Sequence, residues 1–194
     1  MLILVRHGQT AHNASRRLLG RLDVPLDELG VRQARALGQA QGLHRATRVV
    51  SSPLGRARDT AEAFGLPVSV DERWAEIDYG IYDGLPLADV PPSVWESWTA
   101  DLAWTPEGGE SLAAVGARVG QACDELWAEA QVSDVVVVSH VSPIKAAVTW
   151  ALGAPPEAIW RMFVAVASVS QVGAGRAGAP SLHTFNESHF RPER

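Results

Sequence analysis

The chain opens on a short unbroken apolar run, Leu2-Ile3-Leu4-Val5, which breaks at Arg6-His7-Gly8. A run of this length without polar alternation predicts a β-strand buried on both faces. A stronger run, Asp134-Val135-Val136-Val137-Val138-Ser139, predicts a second such strand, and it ends at His140. Thr47–Ser51 and Val68–Val70 read as two more. Elsewhere the apolar spacing turns helical. Asp27 suits the N-cap of a helix from about Glu28 to Gly42, with Val31, Ala34, Leu37 and Gly38 on its apolar side. Pro53 opens a helix through about Phe64, because proline is favoured in a first turn. Ser111–Ala130 carries Leu112, Val115, Val119, Ala122, Leu126 and Trp127 on one side, and Pro143 begins a helix through about Leu152. A last strand pair is expected near Val166–Val172 and Ser181–Phe185, around the glycine-rich turn Gly173–Gly178.

Strands alternating with helices predict an α/β fold, a three-layer αβα sandwich with a mostly parallel central sheet. The 194 residues show no repeat and no low-complexity linker, so residues 1–194 read as a single domain. Arg73–Pro106 breaks the pattern, with one short helix near Ser93–Ala100 and Trp74, Trp95, Trp98 and Trp104. Long irregular segments are commonly functional, and tryptophans argue against disorder. Roughly residues 77–110 are therefore expected to form a Trp-rich lid, with Trp95, Trp98 and Trp104 as the wall over a ligand.

Composition narrows the partners. The 46% hydrophobic content is ordinary, and no apolar run is long enough for a membrane helix. A net charge of -5 argues against nucleic acid. The first strand is too short for a signal peptide, and Cys123 is the only cysteine, so a cytoplasmic location is expected. Cys123 falls within a helix, as a small core residue. Lys145 is the only lysine among 17 Lys and Arg residues, a bias that a GC-rich genome would produce.

In a parallel sheet the C-terminal strand ends open onto the ligand crevice. Arg6, His7 and His140 lie there, and Arg56 follows the turn after the second strand. The helix after His140 would offer free N–H groups and a positive dipole end to a phosphate. Each residue alone suits an ordinary loop or helix surface. Together they point to an anion site with an imidazole beside it. The bare residues also admit a metal site on His7, His140 and Glu76. Against it, Arg6 and Arg56 would repel the ion. Glu76 has rivals on charge alone, namely Asp71, Glu72, Asp78 and Asp83.

Over essentially its whole length the sequence resembles the histidine phosphatase superfamily, which includes the cofactor-dependent phosphoglycerate mutases. The resemblance rests on Arg6-His7-Gly8-Gln9-Thr10 with Asn13, on Arg17–Gly20 and Asp23–Leu26, and on Ser51–Ala57 with Thr60-Ala61. It continues through Glu76 with Gly80 and Gly84, Gly108–Ser111, and Ser139-His140. It implies a phosphoglycerate mutase-like fold and hydrolysis of small-molecule phosphate monoesters, without a cofactor or metal. His7 would be the nucleophile that becomes phosphohistidine. Arg6, Arg56, His140 and Asn13 would hold the phosphoryl oxygens, and Glu76 would be the general acid and base. Val141 stands where the family commonly has glycine, and Lys145 where it commonly has arginine, as a structural or solvated replacement. Val141 and Ser142 are therefore expected to shape substrate choice. Leu19 replaces the small hydroxyl residue of mutases, which favours a phosphatase over mutase-type phosphoryl transfer. A catalytically silent phosphate-binding protein is the alternative of another class.

Overall fold

Neighbouring residues on the buried strands feed two different cores, as a sheet covered on both faces requires. The computed structural model describes residues 1–40 and 45–190. Its strands are β1 (Leu2–Arg6), β2 (Ala46–Ser51), β3 (Val68–Val70), β4 (Asp134–Ser139), β5 (Ser168–Ala174) and β6 (Pro180–Ser188). Its helices are α1 (Ala11–Ala14), α2 (Glu28–Gly38), α3 (Gly55–Glu62), α4 (Pro92–Ala100), α5 (Leu112–Ala130) and α6 (Val141–Leu152). Leu2, Leu4, Val50, Val135 and Val137 pack with α5 and α6 in one core. Ile3, Val5, Val49, Val136 and Val138 pack with Leu37 of α2 and with Ala57 and Ala61 of α3 in the other. The expected three layers are present.

The sheet order is β3-β2-β4-β1-β5-β6, with β3, β2, β4 and β1 parallel and β5 antiparallel to both its neighbours. Register decides where the site lies. Arg6 of β1 pairs with Ser139 of β4, and Ser51 of β2 pairs with Val138. The next residues, His7, His140 and Ser52, therefore emerge together at one edge.

Several boundaries differ from expectation. α2 closes at Gly38, where the Gln39 N–H returns to the carbonyls of Arg35 and Ala36; the expected end at Gly42 lies outside the described residues. α3 starts at Gly55, two residues past Pro53. α6 starts at Val141 with His140 as N-cap, so Pro143 sits inside its first turn, where no intrahelical N–H bond is lost. α1 lies in what reads as polar loop, and it exists because Thr10 and Asn13 form a reciprocal capping box. Gly8 is not needed for a left-handed turn. It is needed for space, because a Cβ there would lie 2.5 Å from the Gly30 carbonyl oxygen of α2.

Residues 77–110 form 3-10 turns at Gly80–Tyr82 and Leu87–Asp89, followed by α4. Trp98 of α4 is 1% exposed, with Tyr79, Tyr82, Trp95 and Trp104 packed around it. Among the described residues no helix is long and apolar enough to cross a membrane.

Candidate active site

The two strand-end histidines sit side by side, with ring centroids 4.9 Å apart. Both are buried. His7 Nδ1 lies 2.7 Å from the Gly8 carbonyl oxygen. A carbonyl only accepts, so Nδ1 carries the proton and Nε2 keeps its lone pair. Burial, then Arg56 and Arg6, hold His7 well below the ordinary imidazole range. It is a neutral imidazole whose Nε2 electron pair is unprotonated. His140 Nε2 lies 2.7 Å from Ser52 Oγ, and its buried Nδ1 has no hydrogen-bond partner among the described residues. Burial and the nearby cations lower His140 as well.

Arg56 is fully buried, and three bonds fix its guanidinium. Nε donates to His7 Nε2 at 3.3 Å, Nη1 to the Leu22 carbonyl and Nη2 to the Gly20 carbonyl, both at 2.8 Å. The Arg56 backbone takes part too: its carbonyl accepts from Thr60 Oγ1, which accepts in turn from Gly8 N–H. Arg6 donates Nη1 to the Val164 carbonyl at 2.7 Å, while its buried Nε has no partner among the described residues. Burial pulls the Arg6 guanidinium down to about 10, against the pull of Glu76, so it stays charged at neutral pH. An unpaired buried polar group costs about 1–3 kcal/mol. Arg6 Nε and His140 Nδ1 are therefore unused hydrogen-bonding capacity beside a neutral nucleophile, which suits a tetrahedral oxyanion.

Glu76 is 3% exposed, and its carboxylate engages the start of α6. Its Oε2 accepts from Val141 N–H at 3.0 Å, and its Oε1 from Ser142 and Ile77 N–H at 3.1 and 2.9 Å. The first amides of α6, expected to serve a phosphate, instead hold this carboxylate. Of the rival acids, Glu72 is exposed and the other three are engaged elsewhere. Asp71 caps a 3-10 turn and pairs with Arg73, Asp78 accepts from Gly80 N–H, and Asp83 accepts from Gly20, Arg21 and Leu22 N–H.

A cavity of about 360 Å³ opens above these groups. Arg6, His7, Glu76 and Asn13 reach it, as do Val141 and Ser142. Asn13 Oδ1 is taken by Thr10, which leaves its NH2 as the donor for a ligand. Arg56 and His140 are buried beside the His7 ring rather than on the cavity wall. Trp95 and Trp98 are on the wall, whereas Trp104 is not; it packs edge-on behind Trp98 at 5.3 Å. Trp160 and Tyr79, which the sequence reading passed over, are on the wall too. Burial and the Glu76 charge push the Tyr79 phenol up, so it stays protonated. Among the described residues no three His, Cys, Asp or Glu side chains converge as metal ligands, and the Glu76 oxygens are turned to backbone amides.

Sequence reasoning also missed residues that hold the site from behind. Arg118 of α5 pairs with Glu110 and donates to the carbonyls of Arg73 and Glu76, which fixes the irregular segment carrying the acid. No local motif marks it. Lys145, expected as a structural or solvated replacement, lines the cavity and is partly buried.

The histidine phosphatase superfamily (branch 1) profile matches residues 2–188. The chain is 37% identical over 200 residues to the bifunctional protein Rv2228c of Mycobacterium tuberculosis, covering 97% of this chain and 54% of that protein. It thus spans about half the length of that relative. It is 40% identical over 174 residues to glucosyl-3-phosphoglycerate phosphatase of the same species, covering 82% and 78%. The solved mycobacterial glucosyl-3-phosphoglycerate phosphatase in complex with VO3 superposes with a TM-score of 0.86 at 35% identity, covering 96% and 98%.

Proposed function

The chain belongs to branch 1 of the histidine phosphatase superfamily, and from that membership we propose that it is a metal-independent phosphomonoesterase acting on small-molecule esters. The observation that carries this reading is the state of His7: neutral, proton on Nδ1, lone pair on Nε2, buried among Arg6, Arg56 and His140. In the first step His7 Nε2 bonds to phosphorus and the ester P–O bond breaks. The leaving oxygen takes its proton from Glu76, which enters the step carrying one taken up from solvent. In the second step water attacks the phosphohistidine, Glu76 takes the proton, and the N–P bond breaks to release phosphate. Arg6, Arg56, His140 Nδ1 and the Asn13 amide hold the three phosphoryl oxygens, whose charge must be carried through both transition states. Val141 and Ser142 border the leaving group. Residues 1–194 form one catalytic domain in this reading, with residues 77–110 as its lid and the cytoplasm as its compartment.

Brief exposure to phenyl phosphate followed by a denaturing quench should leave an acid-labile, base-stable phosphoryl group on the wild-type protein. His7→Ala should lack both this group and turnover. Saturable binding without a trapped phosphoryl group would instead make the protein a silent binder. Transfer between phosphoglycerates at rates above hydrolysis would make it a mutase. Glu76→Gln should slow alkyl esters far more than aryl esters, whose leaving groups need little protonation.

A further inference from the structure

Lys145 is the one lysine of the chain, and its side chain lines the same cavity as His7 and Glu76. It lies four residues after Val141, one turn along α6, on the face that carries Val141 toward the site. A long helical side chain points back toward the helix N-terminus. That direction carries the Lys145 ammonium toward Glu76 and Arg6, the two charged groups whose fields it feels. Among the described residues Lys145 Nζ makes no ion pair or hydrogen bond, and Glu76 is already held by three backbone amides. Arg17, another cation on the wall, is exposed and donates Nη1 to the Gly84 carbonyl. Most of the remaining wall is aromatic or aliphatic, including Leu18, Leu19, Trp95 and Ile159.

A partly buried cation without a hydrogen-bond partner, on a wall that is mostly apolar outside the catalytic groups and Arg17, suits an anion on the ligand. The phosphoryl group is served by Arg6, Arg56 and His140 in the reading above. We infer that Lys145 selects esters whose leaving alcohol carries a carboxylate. The charge balance favours a carboxylate over a second phosphate, since one ammonium neutralises a monoanion and leaves a dianion uncompensated in an apolar enclosure. Burial also lowers Lys145 from its ordinary value, and a bound carboxylate would oppose that shift.

This inference rests on the phosphomonoesterase reading, and its test separates the two. Phenyl phosphate, 3-carboxyphenyl phosphate and a 3-phosphonooxy analogue are compared on wild type, Lys145→Met and Lys145→Arg. The same three ligands are then titrated onto His7→Ala by tryptophan fluorescence. Lys145→Met should lose at least about tenfold more kcat/KM on the carboxylated ester than on phenyl phosphate. The loss should fall mainly in KM, with Lys145→Arg recovering part of it, and Lys145→Met in the His7→Ala background should weaken binding of the carboxylated ligand selectively. Equal losses on all three esters would mean that Lys145 acts through Glu76 or the fold, and would overturn the inference. So would a larger loss on the bisphosphorylated ester. If no ester is turned over but the carboxylate-selective binding loss persists, the hydrolytic reading fails and the Lys145 assignment stands.

Discussion

Arg56 donates its Nε–H to Nε2 of His7 across 3.3 Å, so the guanidinium lies against the nitrogen that holds the free electron pair. Burial, and after it this contact, keep His7 unprotonated, because a cation at that nitrogen opposes a second proton. On attack, this N–H must pass from nitrogen to a phosphoryl oxygen, a short transfer for a planar donor whose other two arms stay fixed on Gly20 and Leu22. Lysine cannot reproduce a fork of this shape. Arg56→Lys should reduce kcat by about 10²–10³-fold, as expected for a lost transition-state donor. Steady-state kinetics on phenyl phosphate measure this, and a loss under threefold would remove Arg56 from the oxyanion clamp.

Asp83 acts on that clamp from one step away. Its carboxylate gathers the N–H groups of Gly20, Arg21 and Leu22 at 2.7, 2.8 and 2.9 Å. The carbonyls of Gly20 and Leu22 are the ones that hold Arg56. Asp83→Ala should therefore cost about 1–3 kcal/mol of stability by leaving these amides unpaired. It should also weaken competitive inhibition by inorganic phosphate as kcat falls. Urea melts and phosphate inhibition constants together decide the matter. A stability loss with unchanged inhibition would make Asp83 a loop brace with no bearing on Arg56.

How much of this was legible in the sequence varied with how local the cause was. β1 and β4 were plain because a strand covered on both faces is apolar throughout, and their register then carried His7 and His140 to one edge. The groups that stabilise the site from a distance were not plain. Glu76 reaches the α6 amides across 65 residues of chain, and Arg118 reaches the Glu76 carbonyl across 42. No spacing rule encodes either contact. The α6 N-terminus was expected to be a phosphate site because its amides were free on paper; the fold gives them to a carboxylate instead. Lys145 reads in the sequence as a structural or solvated replacement, and only the cavity shows which way it faces.

Acid should unfold this protein earlier than its carboxylates alone require. His7 and His140 are both held well below 6.5 in the folded chain, chiefly by burial and then by the nearby arginines. Unfolding returns them to about 6.5, so below that pH the unfolded chain binds protons that the folded chain does not. Their contribution is complete above about pH 6.5 and shrinks as the pH falls toward the folded values. Each histidine adds up to about 1.4 kcal/mol per pH unit to that slope. Urea unfolding between pH 7.5 and 5 should show a midpoint that declines below about 6.5. His140→Asn should reduce the slope by about half. A midpoint that stays level from pH 7 to 5 would contradict the neutral, buried state of both rings.

Trp98 joins the stability of the aromatic segment to the shape of the cavity. It is 1% exposed, with Trp95 at 5.4 Å and Trp104 at 5.3 Å, and it also forms part of the cavity wall. Trp98→Ala should cost about 3–5 kcal/mol, the usual penalty for removing a buried indole. That loss alone would mask any effect on substrate choice. Trp98→Phe keeps an aromatic face for Trp104 and Tyr79 while withdrawing part of the wall. In this variant kcat/KM for 1-naphthyl phosphate should rise relative to phenyl phosphate, because the wall recedes where the larger ring must fit. If the wall instead reshapes by moving as a lid, tryptophan fluorescence of the wild-type protein should also change on phosphate binding. An unchanged naphthyl-to-phenyl ratio would assign Trp98 to packing alone and leave the selectivity of the wall to Trp95 and Trp160.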